Sequence, residues 1–283
     1  MVYFNILVWL IWLIHTVQSG YNPGHDRCVM HLNKPEDSFV VVPAMYKTVY
    51  PSKPWYTKFN VCEYQRKNST VRGYVPNFAW EAGIYLRYII DHYDNLPNTI
   101  VFLQEDTTDN VGNRLACLKP GFGFQPVFFG YFPDRYIPSH IATPYMGPLP
   151  HFQNVIPCWK SILRDFDMPK IYDVGYQVKV ANYCCAYFAA ERDQIRRHPL
   201  SAYVNAYIRT MEADSCVWDD PVASKIQGDK FASSKIWATV WEHLWHVIIG
   251  GHPYETPRLL RHAKEWCNNW VPNGDICTSS PCE

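Results

Sequence analysis

The chain has 283 residues, with 26 basic and 26 acidic side chains and a formal net charge of zero. It carries no basic tail or stripe, which argues against nucleic acid as a partner, and its 48% apolar content suits a globular protein with a substantial core. Aromatic residues are abundant, with 20 Tyr and 11 Trp; core packing accounts for most such residues, and a sugar-binding cleft is the sharper reading.

At the amino terminus, residues 6–17 (ILVWLIWLIHTV) form an apolar run followed by Gln18, Ser19 and Gly20. Val17-Gln18-Ser19 fits signal-peptidase cleavage before Gly20, so residues 1–19 read as a signal peptide. The run is short for a membrane span of about 20 apolar residues. A retained signal anchor is the alternative, and no stable span is expected after cleavage. The expected location is outside the cell or in the lumen of the secretory pathway. Residues 20–283 read as one α/β domain, with residues 267–283 as a tail tied on by disulfides.

All ten cysteines follow the cleavage point: Cys28, Cys62, Cys117, Cys158, Cys184, Cys185, Cys216, Cys267, Cys277 and Cys282. An even number in a secreted chain points to disulfides, and the absence of any C-x-x-C pair argues against zinc. Cys184 and Cys185 are expected to bond to different partners, because neighbouring side chains on a strand point to opposite faces. Asn68-Ser69-Thr70 is a glycosylation sequon in a polar loop.

Strands are expected at Phe39–Val42 and, by apolar–polar alternation, at Thr57–Tyr64. Pro76 and Asn77 then signal a helix start, with Asn77 as N-cap and Glu81 in the first turn. Ile84, Tyr85, Tyr88, Ile89 and Tyr93 recur at helical spacing, and Asn95-Leu96-Pro97 ends the helix. Thr99–Leu103 reads as a buried strand running into Gln104, Glu105 and Asp106, with Asp109 three residues on. Residues 107–169 are rich in Gly, Pro and aromatics, and only residues 154–166 read as a short helix. Gly121-Phe122-Gly123 is no dinucleotide fingerprint, because no helical pattern follows it. A strand is expected over residues 177–183, then a strand end running into a helix over residues 186–197, broken by His198-Pro199. Leu200–Met211 forms another helix. Ser233 or Ser234 can cap one that runs through Ile249 and stops at Gly250-Gly251. A last helix is expected over residues 258–266.

In open α/β sheets ligands gather at the carboxyl ends of strands, so Glu105, Asp106 and Asp109 are the leading candidates for chemistry. The rival reading is a solvated loop start. Glu242 precedes Trp245 on the late amphipathic helix, where it could instead be a structural partner of Arg192. His243 and His246 have a spacing that can share a metal, but no third ligand accompanies them.

Three blocks resemble an uncharacterised eukaryotic family, best represented among fungal secreted and membrane-anchored proteins and catalogued as a domain of unknown function. They are residues 77–102, CCAYFAAERDQIRRHPLSAY (residues 184–203) and WEHLWHVIIG (residues 241–250). Two departures stand out: the family's glycine after its Asn is Ala79 here, and its histidine-containing strand end is Gln104-Glu105-Asp106. More distantly, the layout resembles GT-A glycosyltransferases. That resemblance implies a mixed sheet flanked by helices that binds a nucleotide sugar and a glycan or glycoprotein acceptor. It implies a Mn or Mg ion on Glu105, Asp106 and Asp109, with catalytic roles for Asp106 and for Glu242 as the base. It also implies substrate contacts from Asn77, Glu81, Gln104, Arg192, Trp245 and His246. An oxygen-ligated divalent ion suits a departing diphosphate, and an inverting transfer needs one base at the acceptor hydroxyl. A secreted, non-catalytic carbohydrate-binding or structural protein on the same fold is the alternative. A hydrolase comes third, since it would need two carboxylates facing each other at a defined separation.

Overall fold

Ile100, Val101, Phe102 and Leu103 alternate between the two faces of one sheet, and all four are fully buried. This strand is the centre of the computed structural model, which describes residues 28–29, 39–45, 59–105, 121–127, 131–132, 136–137, 156–168, 178–179, 182–183, 186–211 and 229–250. The main strands are β1 (Cys28–Val29), β2 (Phe39–Met45), β3 (Asn60–Cys62), β4 (Tyr64–Gln65), β5 (Thr99–Gln104), β6 (Phe124–Pro126) and β11 (Phe188–Glu191). Two small ladders pair β7 (Tyr131–Phe132) with β10 (Asn182–Tyr183) and β8 (Tyr136–Ile137) with β9 (Val178–Lys179). The helices are α1 (Glu81–His92), α2 (Ile156–Asp165), α3 (Arg192–Arg196), α4 (Leu200–Met211) and α5 (Asp229–Ile248), and a 3-10 turn at Tyr93–Asn95 follows α1.

The seven main strands form one open mixed sheet in the order β1-β3-β2-β5-β11-β6, with β4 also paired to β2. β2 runs parallel to β3, β4 and β5, while β11 runs antiparallel to both β5 and β6. β3 and β4 keep one register against β2, so Glu63 interrupts a single strand. The chain leaves β2 for its neighbour β3 on one side, then crosses through α1 to β5 on the other. The strand order therefore reverses between β2 and β5.

One sheet face carries Val42, Ala44, Phe102, Phe188 and Ala190, packed against α1, α2, α4 and α5 in an aromatic core. Tyr85 lies 4.9 Å from Phe102 and 5.9 Å from Trp245, ring centre to ring centre. The other face buries Val61, Val101, Leu103 and Ala189. Arg209 on α4 forks onto Asp165 at the end of α2, at 2.7 and 2.8 Å. Such a bidentate contact fixes angle as well as distance.

Several boundaries differ from expectation. β2 continues to Met45 because each residue through Ala44 pairs with β5. α1 starts at Glu81, not at Asn77, because Ala79 and Trp80 both take φ 52 and turn the chain before the helix can begin. Asn77 does not cap; its Oδ1 accepts a hydrogen bond from Arg66 at 3.1 Å. α5 begins at Asp229, ahead of the serines read as caps. The segment read as one strand over residues 177–183 contains two short strands in different ladders. The proposed signal peptide, the helix over residues 258–266 and the tail lie outside the described residues. Among the described residues no helix is long and apolar enough to cross a membrane.

The basic run after β11 gathers the ends of two helices. Arg196 donates to the carbonyls of Tyr93 (3.0 Å) and Asp94 (2.7 Å), and Arg192 reaches that of Leu96 (3.4 Å), all just beyond α1. Arg197 donates to the Ile249 carbonyl at 2.7 Å, and the His198 ring Nε2 meets the Ile248 carbonyl at 2.8 Å, at the end of α5. Carbonyls at helix ends lack intrahelical donors and carry the negative pole of the dipole, so cations fit there. Tyr93 closes the arrangement by donating to the His198 carbonyl at 2.5 Å.

Burial holds the His198 imidazole below its ordinary value; the Ile248 carbonyl pulls the other way and the Arg197 charge adds to the lowering. The folded chain therefore binds fewer protons here than the unfolded chain does. The stability this site contributes is intact above the ordinary value of 6.5 and is lost as pH falls from there through the folded value. His198→Gln, which cannot titrate, should show a shallower loss of urea midpoint on acidification than the wild type. Equal slopes would count against the assignment.

Candidate functional site

β2, β4 and β5 run parallel, so Met45, Gln65 and Gln104 end at one edge of the sheet. Gln104 is half-buried there, with Glu105 next to it. β11 starts beside this edge, and the Tyr187 phenol donates to Gln104 Oε1 at 3.1 Å. α1 and α5 both run back from this edge. Tyr85 and Trp245 meet in the core. Glu81 stands four residues before Tyr85 and Glu242 three before Trp245, about one turn nearer the carboxyl ends in each helix. Glu81 is buried at 5% exposure in the first turn of α1, where the dipole favours a carboxylate; Glu242 is half-buried. Glu81 and Glu242 thus lie toward the same edge of the sheet as Gln104 and Glu105.

The rim beside this point is built on Gln65, which is fully buried. Its Nε2 donates to the carbonyls of Asn68 (2.6 Å) and Val71 (3.1 Å), and its Oε1 accepts from the backbone N–H of Lys67 (2.7 Å) and Asn68 (2.8 Å). One side chain thereby satisfies four backbone groups of the sequon loop. Gln65→Ala should cost about 3 kcal/mol, because each such bond nets roughly 0.5–1.5 kcal/mol and their loss strands buried backbone groups. Urea denaturation checks this, and a loss under about 1 kcal/mol would show that water replaces the amide. Asn68 itself is exposed, and its Oδ1 accepts from the Thr70 N–H at 3.0 Å and the Thr70 hydroxyl at 2.8 Å.

Backbone strain concentrates near the same edge. Of the four described non-glycine residues with positive φ, Ala79 and Trp80 precede α1 and Ala186 precedes β11. Each such conformation costs of order 1–3 kcal/mol and persists only where its surroundings enforce it.

Other residues singled out in the sequence lie elsewhere. Arg192 follows Glu191, which pairs with Thr99 at the far end of β5, about 17 Å along the strand from Gln104. Its ion-pair partner is Asp193 at 3.9 Å, not Glu242. Trp245 is 2% exposed and packs on Tyr85, Phe188 and Trp241, and His246 is 6% exposed. Asp106 and Asp109 lie outside the described residues, as do Cys184 and Cys185. Among the described residues no group of three or more His, Cys, Asp or Glu is placed to hold a metal. Cys62 and Cys158 are disulfide-bonded, and the β1–β3 register sets Cys28 opposite Cys62.

The structure adds three residues that sequence reasoning missed: Gln65, Tyr187 and Glu191. Glu191 accepts from the backbone N–H groups of Gly121 and Gly123, the latter at 3.0 Å, which gives the Gly-Phe-Gly stretch its role as a cradle for an internal carboxylate. No sequence signal singled out Tyr187, whose partner Gln104 is 83 residues away in the chain. The partners of Gln65 and Glu191 required the fold.

Comparison with known proteins finds no curated protein and no solved structure that matches the chain. The profile of one family matches residues 41–115 and 154–265. These spans take in α1, β5, β11, the basic run and all of α5, and thus every described residue of the candidate site. The chain belongs to the family described as "Protein of unknown function (DUF3431)".

Proposed function

We propose that this is a GT-A-type, glycosyltransferase-like protein of the secretory pathway, acting at the carboxyl ends of β2 and β5. The observation that carries the reading is the reversal of strand order between β2 and β5, with β5 leading into Gln104-Glu105-Asp106. Such a switch point opens a crevice in which α/β sheets take nucleotides. Glu105, Asp106 and Asp109 would hold a Mn or Mg ion, which when bound would offset the diphosphate charge. Asn77, Glu81 and Gln104 would contact the nucleotide sugar. In the transfer, the bond from the anomeric carbon to the diphosphate oxygen breaks and a bond to the acceptor oxygen forms. Glu242 takes the acceptor proton. Disulfide-bonded Cys62 and Cys158 support an oxidising compartment, and the remaining cysteines are proposed to pair likewise. The exposed sequon turn at Asn68 supports N-glycosylation there.

The test is binding of a panel of nucleoside diphosphates, with and without Mn²⁺, to wild type and to Asp106→Asn. One member should bind in a Mn²⁺-dependent manner, and Asp106→Asn should lose that binding. No binding by the wild type to any member would overturn the transferase reading and leave the non-catalytic carbohydrate-binding or structural protein.

A further inference from the structure

We propose that Arg196-Arg197-His198 is a pH-sensitive latch that ties the carboxyl-terminal ends of α1 and α5 to each other at neutral pH and releases the end of α5 on acidification. Three consecutive residues take both helix ends. Arg196 donates to the carbonyls of Tyr93 and Asp94 beyond α1. Arg197 and His198 meet those of Ile249 and Ile248 at the end of α5, at 2.7 and 2.8 Å. These carbonyls lie where a helix can supply no donor of its own. The arginines stay charged throughout, so His198 is the member whose charge can change near neutral pH. Its Nε2 faces a carbonyl, which only accepts, so Nε2 carries the proton of the neutral ring and Nδ1 takes the next one.

The surroundings oppose that second proton. His198 is half-buried, with the rings of Phe166 and Tyr203 centred 5.0 and 6.4 Å away. From α4, Tyr203 is kept neutral because burial pushes its phenol far up. Tyr93, whose hydroxyl donates to the His198 carbonyl, is also raised by burial, and Arg196 and Asp94 bear on it. Beside Phe166, Asp165 is forked by Arg209 and Asp167 is exposed. α5 brings the Ile248 carbonyl, with His246 two residues before it. Burial and the Arg197 cation outweigh the pull of that carbonyl and hold the imidazole below its ordinary value. The closed latch therefore takes up its proton less readily than the open one, and falling pH shifts the population to the open form. The change reaches Glu242 through α5, two turns before Ile249, without a contact at the candidate site. The inference does not depend on the transferase reading.

The experiment follows the full secreted protein from about pH 7.5 to about pH 5, the range in which histidine titrates. Hydrogen exchange of the Trp245–Ile249 amides, corrected for its intrinsic pH dependence, is compared with that of β5, and NMR titrates the His198 ring. Protection at the end of α5 should fall about fivefold relative to β5, the scale of one neutral hydrogen bond. The midpoint of that fall should coincide with the His198 titration. His198→Gln should hold one level of protection across the range. Arg197→Gln removes the opposing charge and should move the midpoint to higher pH. Protection that ignores pH, a midpoint apart from that of the imidazole, or an equal loss in β5 would overturn the latch, as would an unchanged pH dependence in His198→Gln. The wild-type midpoints decide the matter even if a variant fails to fold.

Discussion

On the transferase reading, Glu242→Gln is expected to keep Mn²⁺-dependent nucleotide binding and to lose turnover by about 10²–10⁴-fold, the usual contribution of a positioned general base. The substitution changes a carboxylate for an amide of the same shape, so packing beside Trp241 and Trp245 is preserved. Glu242 sits one turn nearer the carboxyl ends of the sheet than Trp245, on the half-buried side of α5. Arg192 is committed to Leu96 and Asp193 at the other end, so Glu242 is not its structural counter-ion. A base acts on the acceptor proton and not on the nucleotide, which is why binding and turnover should separate. The control is the urea midpoint, expected at the wild-type value. Turnover equal to wild type would remove Glu242 from the mechanism, and loss of nucleotide binding together with stability would assign it to the core instead.

Trp245→Ala is expected to destabilise the domain by about 4 kcal/mol, as truncation of a fully buried large aromatic does. Its ring lies 4.5 Å from Trp241, 5.3 Å from Phe188 and 5.9 Å from Tyr85, so one cavity would loosen α1, α5 and β11 together. Trp245→Phe should cost much less, about 1–2 kcal/mol. It fills most of the space, and it deletes an indole N–H that is buried with no hydrogen-bond partner among the described residues and so carries a desolvation penalty. This contrast separates packing from sugar stacking. A platform tryptophan would lose carbohydrate affinity in both variants with little change in stability. Chemical denaturation of the two variants decides the matter. Equal, small losses would contradict the buried placement.

Much of the fold was legible because its signals are local. The helical recurrence of Ile84, Tyr85, Tyr88 and Ile89 and the stop at Pro97 mark α1, and the β-branched run before Gln104 marks β5. The basic residues after Glu191 were visible as a helix, but not as a clasp on two other helices, because Tyr93 and Ile249 are far away in sequence. Asn77 carried a valid capping signal. It was overridden because Ala79 and Trp80 turn the chain first and Arg66 takes the Asn77 oxygen. Gln65 looked like one polar residue of a connection, since its four partners converge only when the loop folds over it.

The sequence by itself determined α1, α4, β2 and β5, because 3.6- and 2-residue periodicities and proline stops act within a dozen residues; β6, β7 and β8 lie in the Gly- and Pro-rich stretch, where no periodicity marks them. It also determined that β5 leads into an acidic stretch. The tertiary structure decided which strands are neighbours, because Phe39–Val42 and Thr99–Leu103 are both apolar on both faces and carry no local code for their order. That order sets the reversal between β2 and β5. It also sorts the polar residues by sheet end. Gln104, Glu105, Glu81 and Glu242 fall at the carboxyl edge, while Glu191, Arg192 and Arg196 fall at the other, where they serve the backbone of their own chain.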